Sequence, residues 1–176
     1  VAHMDEHREA KSVGNSMTFK RNLTQPEEIR SGVVFLADTV AGRLRAQHKK
    51  CLTVQVTLRD PDFRDSAKQK KLTRATNLAG EISQAAMELI ETFWKQGTPV
   101  RLISVTAAQL QDENQAQQLT FWEETEGKKR EQLEKLERTM DIIRGRYGTD
   151  SVRFGSNVAN ELVEKGSRKE HSPAEE

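Results

Sequence analysis

Apolar residues recur along this chain with two different periods, and the changes from one period to the other predict its elements. Ile29, Val33, Leu36, Val40 and Leu44 follow one another at helical spacing, a single stripe on a helix that runs to about Gln47. Thr24-Gln25-Pro26-Glu27 marks its start, with Thr24 as the cap, Pro26 in the first turn and Glu27 placed to complete a capping box. The period then shortens to two. Leu52, Val54, Val56 and Leu58 alternate with Thr53, Gln55, Thr57 and Arg59, as expected of a strand buried on one face. Asp60-Pro61-Asp62 opens a turn, and residues 66–74, SAKQKKLTR, form the next extended segment. Asn77 is placed to cap a second helix with Ile82, Ala85, Ala86, Leu89 and Phe93 as its stripe, ending near Gly97. Residues 100–110 read as the last strand. Residues 12–19, SVGNSMTF, read as the first, leading into the turn-like RNLTQ.

The predicted order is strand, helix, strand, strand, helix, strand. That is an α+β domain, a four-stranded antiparallel sheet with two helices on one face. The other face carries the polar row Thr53, Gln55, Thr57 and Arg59, which needs water or a polar partner. Residues 111–117 are polar and Gln-rich, a linker. Leu133, Leu136, Met140 and Ile143 then mark a charged helix over about 128–146, and from Gly148 the composition is that of a disordered end.

Composition refines this picture. The chain has 176 residues, 35% hydrophobic and 31% charged, enough for one core with a solvated extension. Residues 1–110 hold 17 Lys and Arg against 12 Asp and Glu, and the remainder 11 against 15. A basic domain with an acidic extension fits a nucleic-acid partner. No run of 18 apolar residues and no signal-peptide pattern is present, so no membrane partner and a cytoplasmic location are expected. Cys51 is the only cysteine and the four histidines are scattered, so no metal site is expected. Asp60 and Asp62 sit in a turn signature with no third acid at a strand end, so the chain by itself is not expected to be an enzyme.

Three blocks then carry a resemblance: HREAKSVGNSMTF at 7–19, DFRDSAKQKKL at 62–72 and TPVRLISVTAAQL at 98–110. In this order they resemble the little-finger domain of Y-family translesion DNA polymerases, the ImpB/MucB/SamB C-terminal family. The resemblance implies a sheet laid along duplex primer-template DNA, holding phosphates largely through strand N–H groups. It points to Lys11, Ser12, Gly14, Asn15 and Ser16 in the first strand, and to Arg64, Ser66, Lys68, Gln69, Lys70 and Lys71 around the third. Arg101 on the last strand completes the set. The chemistry suits that use: Gly admits a phosphate to the main chain, small hydroxyls and an amide donate hydrogen bonds, and Lys supplies charge. The last strand carries Ser104 where the family often has Gly, and lacks the basic residues sometimes found near Thr106.

Gln118-Leu119-Thr120-Phe121-Trp122 resembles the pentapeptide by which bacterial polymerases dock on the sliding clamp, with Phe121 and Trp122 in place of the usual Leu and Phe. The expected layout is a linker over 1–10, the DNA-binding domain over 11–110, a linker with the clamp motif over 111–126, a charged helix over 127–148 and a mostly disordered tail over 149–176. The resemblance implies a parent DNA polymerase of the polymerase IV type, active in lesion bypass. No cofactor is expected in this part, since magnesium belongs to the absent catalytic domains. The rival reading is a free-standing dimerisation or regulatory module that binds no DNA; its sheet face should be apolar at the centre. Oligomeric state is left open.

Overall fold

A computed structural model describes residues 11–115 and 124–153, the side chains of Glu124 and Thr125 excepted. The expected linker at 1–10, the motif at 118–122 and the tail from 154 lie outside the described residues. The elements run β1 (Ser12–Leu23), α1 (Pro26–Ala46), β2 (Lys49–Arg59), β3 (Asp65–Thr76), α2 (Ala79–Phe93), β4 (Val100–Asp112) and α3 (Glu124–Tyr147). The four strands form one antiparallel sheet in the order β1-β4-β2-β3. The α+β architecture expected from the two periods is present, with a third helix docked beside it.

The core lies between the sheet and α1 and α2. Val13, Met17 and Phe19 of β1, Val54, Val56 and Leu58 of β2, and Ile103, Val105 and Ala107 of β4 meet the buried stripes of the two helices. Full burial of a Val, Leu or Ile side chain contributes about 1.5–3 kcal/mol, so this one layer supplies most of the drive to fold. Gly32 lets α1 approach: a Cβ there would lie 3.1 Å from the Phe19 ring.

Several local expectations shift. The cap of α1 is Gln25 rather than Thr24, and Glu28 rather than Glu27 accepts the N–H groups of Gln25 and Thr24 at 3.4 and 3.3 Å. Pro26 causes this, because the residue before a proline is held extended and the proline takes the first helical position. β1 does not end at Phe19 but continues to Leu23, across an irregularity in its pairing with β4. In β2 the alternation changes at its start, where Cys51 enters the core and Leu52 is only half-buried. Gln109, between the β4 partners of Cys51 and Thr53, has φ +50, and this left-handed residue resets the pleat. Burial pushes the Cys51 thiol up to about 12, so it packs as a small apolar group. β4 runs to Asp112, into the expected linker, and α3 begins at Glu124.

Asn77 does not cap α2. The helix begins after Leu78, and the Ala79 N–H donates to the Glu137 carboxylate of α3, 3.1 Å from both oxygens. Asn77 instead bridges, its amide donating to the Lys49 carbonyl and its own carbonyl accepting from Arg45. α3 therefore docks, and it does so through charge. Arg130, Glu134, Glu137, Asp141 and Arg144 recur at spacings of four, three, four and three and pair respectively with Glu81, Lys50, Arg45, Arg45 and Asp38. Met140 is buried in the same contact, whereas Leu133 and Leu136 of the expected apolar stripe are exposed.

Arg45 and Glu137 are 4% exposed each. Burial raises the Glu137 carboxyl above the ordinary glutamate range, against the opposing pull of Arg45 and the Ala79 N–H. Glu81 behaves oppositely: burial opposes its charge, but hydrogen bonds from Arg130 and Thr76 hold its pKa below the ordinary value. Ionisation of Glu137 thus costs stability as pH rises from the ordinary range to its raised value, while the contribution of Glu81 is lost as pH falls through its lowered value.

Removing one member of a buried pair strands the other. Arg45→Met and Glu137→Met should each cost about 3 kcal/mol in denaturant unfolding, and the double substitution clearly less than their sum. Additive losses would show that the two charges are not coupled.

Candidate nucleic-acid interface

The register of the sheet assembles its uncovered face row by row, since residues directly opposite in an antiparallel pair project to the same side. Across β1, β4, β2 and β3 the rows are Ser12, Ala108, Thr53, Lys71; then Gly14, Thr106, Gln55, Gln69; then Ser16, Ser104, Thr57, Ala67; and finally Thr18, Leu102, Arg59, Asp65. Leu102 is the one large apolar side chain in this array. The surface is roughly 14 Å across at the usual strand spacing and made largely of hydroxyls, amides and small groups, with Lys71, Arg59 and Asp65 at the β2–β3 side. Thr53 donates to the Gln109 side-chain oxygen at 2.7 Å, and Arg59 binds both oxygens of Asp65 at 2.7 and 2.9 Å. That pairing lowers the pKa of Asp65 and neutralises Arg59.

β1 is an edge strand, and its geometry is informative at Gly14. A Cβ there would meet the Thr106 hydroxyl at 2.8 Å, the close approach of a pair that does not exchange hydrogen bonds. The Gly14 carbonyl accepts instead from Arg43 of α1 at 3.0 Å, which places it on the outer side of the strand. By the alternation of the ladder, the N–H groups of Ser12, Gly14 and Ser16 also project outward from the sheet edge. Gly14 is thus explained twice, by the space that Thr106 takes and by the bare main chain it leaves at the edge. Asn15 has the opposite parity and faces the helix side, beside Phe35 and Asp38 of α1. Lys11, exposed, precedes the strand.

β3 divides its basic residues between two faces. Gln69 and Lys71 share the open face with Gln55 and Thr53, whereas Ser66, Lys68 and Lys70 lie opposite Leu58, Val56 and Val54 and share the helix face. Lys68 sits 5.7 Å over the Phe93 ring, and Lys70 pairs with Glu88 of α2. Lys11, Arg64 and Lys71 make no ion pair among the described residues. Sequence reasoning treated the lysine run as one contact group; only the register separates its two faces. It also missed Arg43, whose place at the β1 edge has no sequence signature.

At the far end of the sheet, the Asp60 carboxylate accepts the N–H groups of Asp62 and Arg64, both at 2.9 Å, so this acid organises the β2–β3 turn. Arg101, next to Leu102 in β4, lies outside the paired register, and its guanidinium is 5.5 Å from the Phe63 ring centre in that turn. Among the described residues no group of three or more potential metal ligands converges, and no helix is long and apolar enough to cross a membrane.

Comparison with known proteins follows the same outline. Residues 10–121 match the impB/mucB/samB family C-terminal domain. DNA polymerase IV of Acetivibrio thermocellus is 34% identical over 155 residues, covering 88% of this chain and 38% of that protein. DNA polymerase IV of Clostridium kluyveri is 28% identical over 156 residues, covering 86% and 39% respectively. The chain thus spans about two fifths of the length of these relatives. Among solved structures, the post-insertion binary complex of Dbh DNA polymerase shares the fold, with a TM-score of 0.51 at 14% identity over 57% of this chain and 29% of that one. With sheet order, blocks and family match in agreement, the chain belongs to the impB/mucB/samB C-terminal family, the little-finger domains of Y-family DNA polymerases.

Proposed function

We propose that this domain grips duplex DNA by its phosphate backbone, as part of a lesion-bypass DNA polymerase whose two-metal chemistry resides in other domains. The observation that carries the reading is the β1 edge: outward N–H groups at Ser12, Gly14 and Ser16, small side chains beside them, and a polar uncovered face. Such an edge suits tetrahedral oxygens that need donors at close range and no side chain in the way. Lys11, exposed just before β1, and Lys71, on the open face of β3, add charge without reading sequence. The relatives named DNA polymerase IV support this assignment of the parent activity. A dimer through the open face is disfavoured by its composition, since Leu102 alone would anchor it.

Binding should be weak and indifferent to sequence, on the order of 10⁻⁴ to 10⁻⁶ M at physiological salt. With about four phosphates neutralised, the log–log salt slope should be roughly −3 to −4. Lys71→Ala should reduce that slope by about one, while Lys68→Ala, turned toward α2, should leave it nearly unchanged. Equal effects of the two would place the contact on the strand edge as a whole rather than on the open face. Supplied with magnesium and a primed template, the chain should incorporate no nucleotide, because the two-metal site needs acids this domain does not assemble.

We further propose that residues 118–122 tether the enzyme to the sliding clamp. The segment is preceded by a turn closed by the Gln115 N–H on the Asp112 carbonyl and followed by α3, so both flanks are fixed to the domain. Leu119, Phe121 and Trp122 would fill an apolar pocket, Gln118 would set the register by hydrogen bonds, and Thr120 would lie between the anchors. Phe121→Ala with Trp122→Ala should weaken clamp binding at least about thirtyfold and leave the melting temperature unchanged. Unchanged affinity with a lowered melting temperature would make the segment part of the core.

A further inference from the structure

Phe63 stands out from the logic of the fold. It is 70% exposed and has φ +62, a backbone conformation that Gly or Asn adopts far more easily than an aromatic residue. The turn that holds it is fixed at several points. Its N–H donates to the Asp60 carbonyl at 3.1 Å, the Asp60 N–H donates to the Arg64 carbonyl at 3.1 Å, and the Asp60 carboxylate takes two further amides at 2.9 Å. An apolar ring is thereby held in water by a rigid scaffold, where it contributes little to the core. One side of the ring is taken by the Arg101 guanidinium, and the exposure leaves the rest free. Beside the turn, a recess of about 200 Å³ is lined in part by Arg59, Arg64, Phe93, Trp94 and Lys95, and by Asp60, whose carboxylate is occupied by the Asp62 and Arg64 amides. Arg64 has no ion-pair partner among the described residues.

We infer that this turn is a stacking site for an unpaired nucleobase, in which Phe63 offers its ring to the base and Arg64 with Lys95 takes the adjoining phosphate. An aromatic platform beside free cations is the chemistry by which proteins hold single strands without regard to sequence. The turn that holds Phe63 lies just beyond the last register row of the sheet, so a strand leaving a duplex held on the open face has a path to it, and the inference rests on that duplex reading.

The test compares blunt duplex, the same duplex with a short single-stranded overhang, and that duplex with an overhang of abasic sugars, all at one salt concentration. The abasic overhang supplies phosphates without rings. The base-bearing overhang should bind at least about fivefold tighter than the abasic one. Phe63→Ala should erase that difference and leave blunt-duplex affinity unchanged. Phe63→Trp should keep it, with indole fluorescence quenched on binding. Phe63→Gly serves as the fold control, and its melting temperature should equal or exceed that of the parent, since glycine relieves the left-handed backbone. Equal affinity for the two overhangs would overturn the stacking site. So would an equal loss on blunt duplex in Phe63→Ala, which would make Phe63 part of the duplex grip, or a lowered melting temperature in Phe63→Gly, which would make it structural. Failure of the parent chain to bind any of the three would overturn the duplex reading itself.

Discussion

Val54, Val56 and Leu58 turn into the helices while Gln55, Thr57 and Arg59 turn out, and this one-sided burial of the sheet governs the rest of the molecule. A two-layer domain has only enough helix to cover one face. The covered face therefore collects the large apolar side chains of three strands. The bare face can hold only groups that water tolerates, and in four register rows it holds hydroxyls, amides and small residues, the charged Lys71, Arg59 and Asp65, and a single leucine. The candidate DNA surface is the other side of the core: the same pleat that buries Val105 presents Ser104 and Thr106.

The edges extend this logic. β1 and β3 each lack a strand neighbour on one side among the described residues, so their outward main-chain groups need other partners. Arg43 satisfies one carbonyl of β1, and the amides beside it remain as donors. On β3 the long side chains of Lys68 and Lys70 fold over α2, blunting the edge against another strand. One edge is thus left as a row of donors and the other is shielded by charge.

α3 joins the domain by a different kind of contact. Its inward residues are charged, and the Arg45–Glu137 pair at the centre is buried with its remaining hydrogen-bonding capacity taken by Asp141, the Asn77 carbonyl and the Ala79 N–H. Glu137 does what a cap residue on α2 would otherwise do, so the start of α2 depends on a residue nearly sixty positions downstream. Buried pairs add little net stability but tolerate few alternative arrangements, and this one specifies where the helix sits.

Much of the fold was legible in the chain because burial imposes a period. The stripe from Ile29 to Leu44 and the alternation through Val54, Val56 and Leu58 located α1 and β2, and the turn chemistry of Asp60 and Pro61 separated β2 from β3. Resemblance of three blocks to a known family added a candidate DNA surface, which periodicity alone could describe only as polar. What the chain could not disclose depends on pairing at a distance. Lys68 and Lys71 look alike in sequence, and only their partners Val56 and Thr53 assign them to opposite faces. The stripe of Leu133, Leu136, Met140 and Ile143 marked a helix but left its docking open, and α3 is held by charged residues whose complements, Asp38, Arg45, Lys50 and Glu81, belong to other elements. Hydrophobic burial is non-directional and leaves a local signature in spacing, but a hydrogen-bonded charge pair is defined by its partner, and that partner is chosen by the tertiary fold.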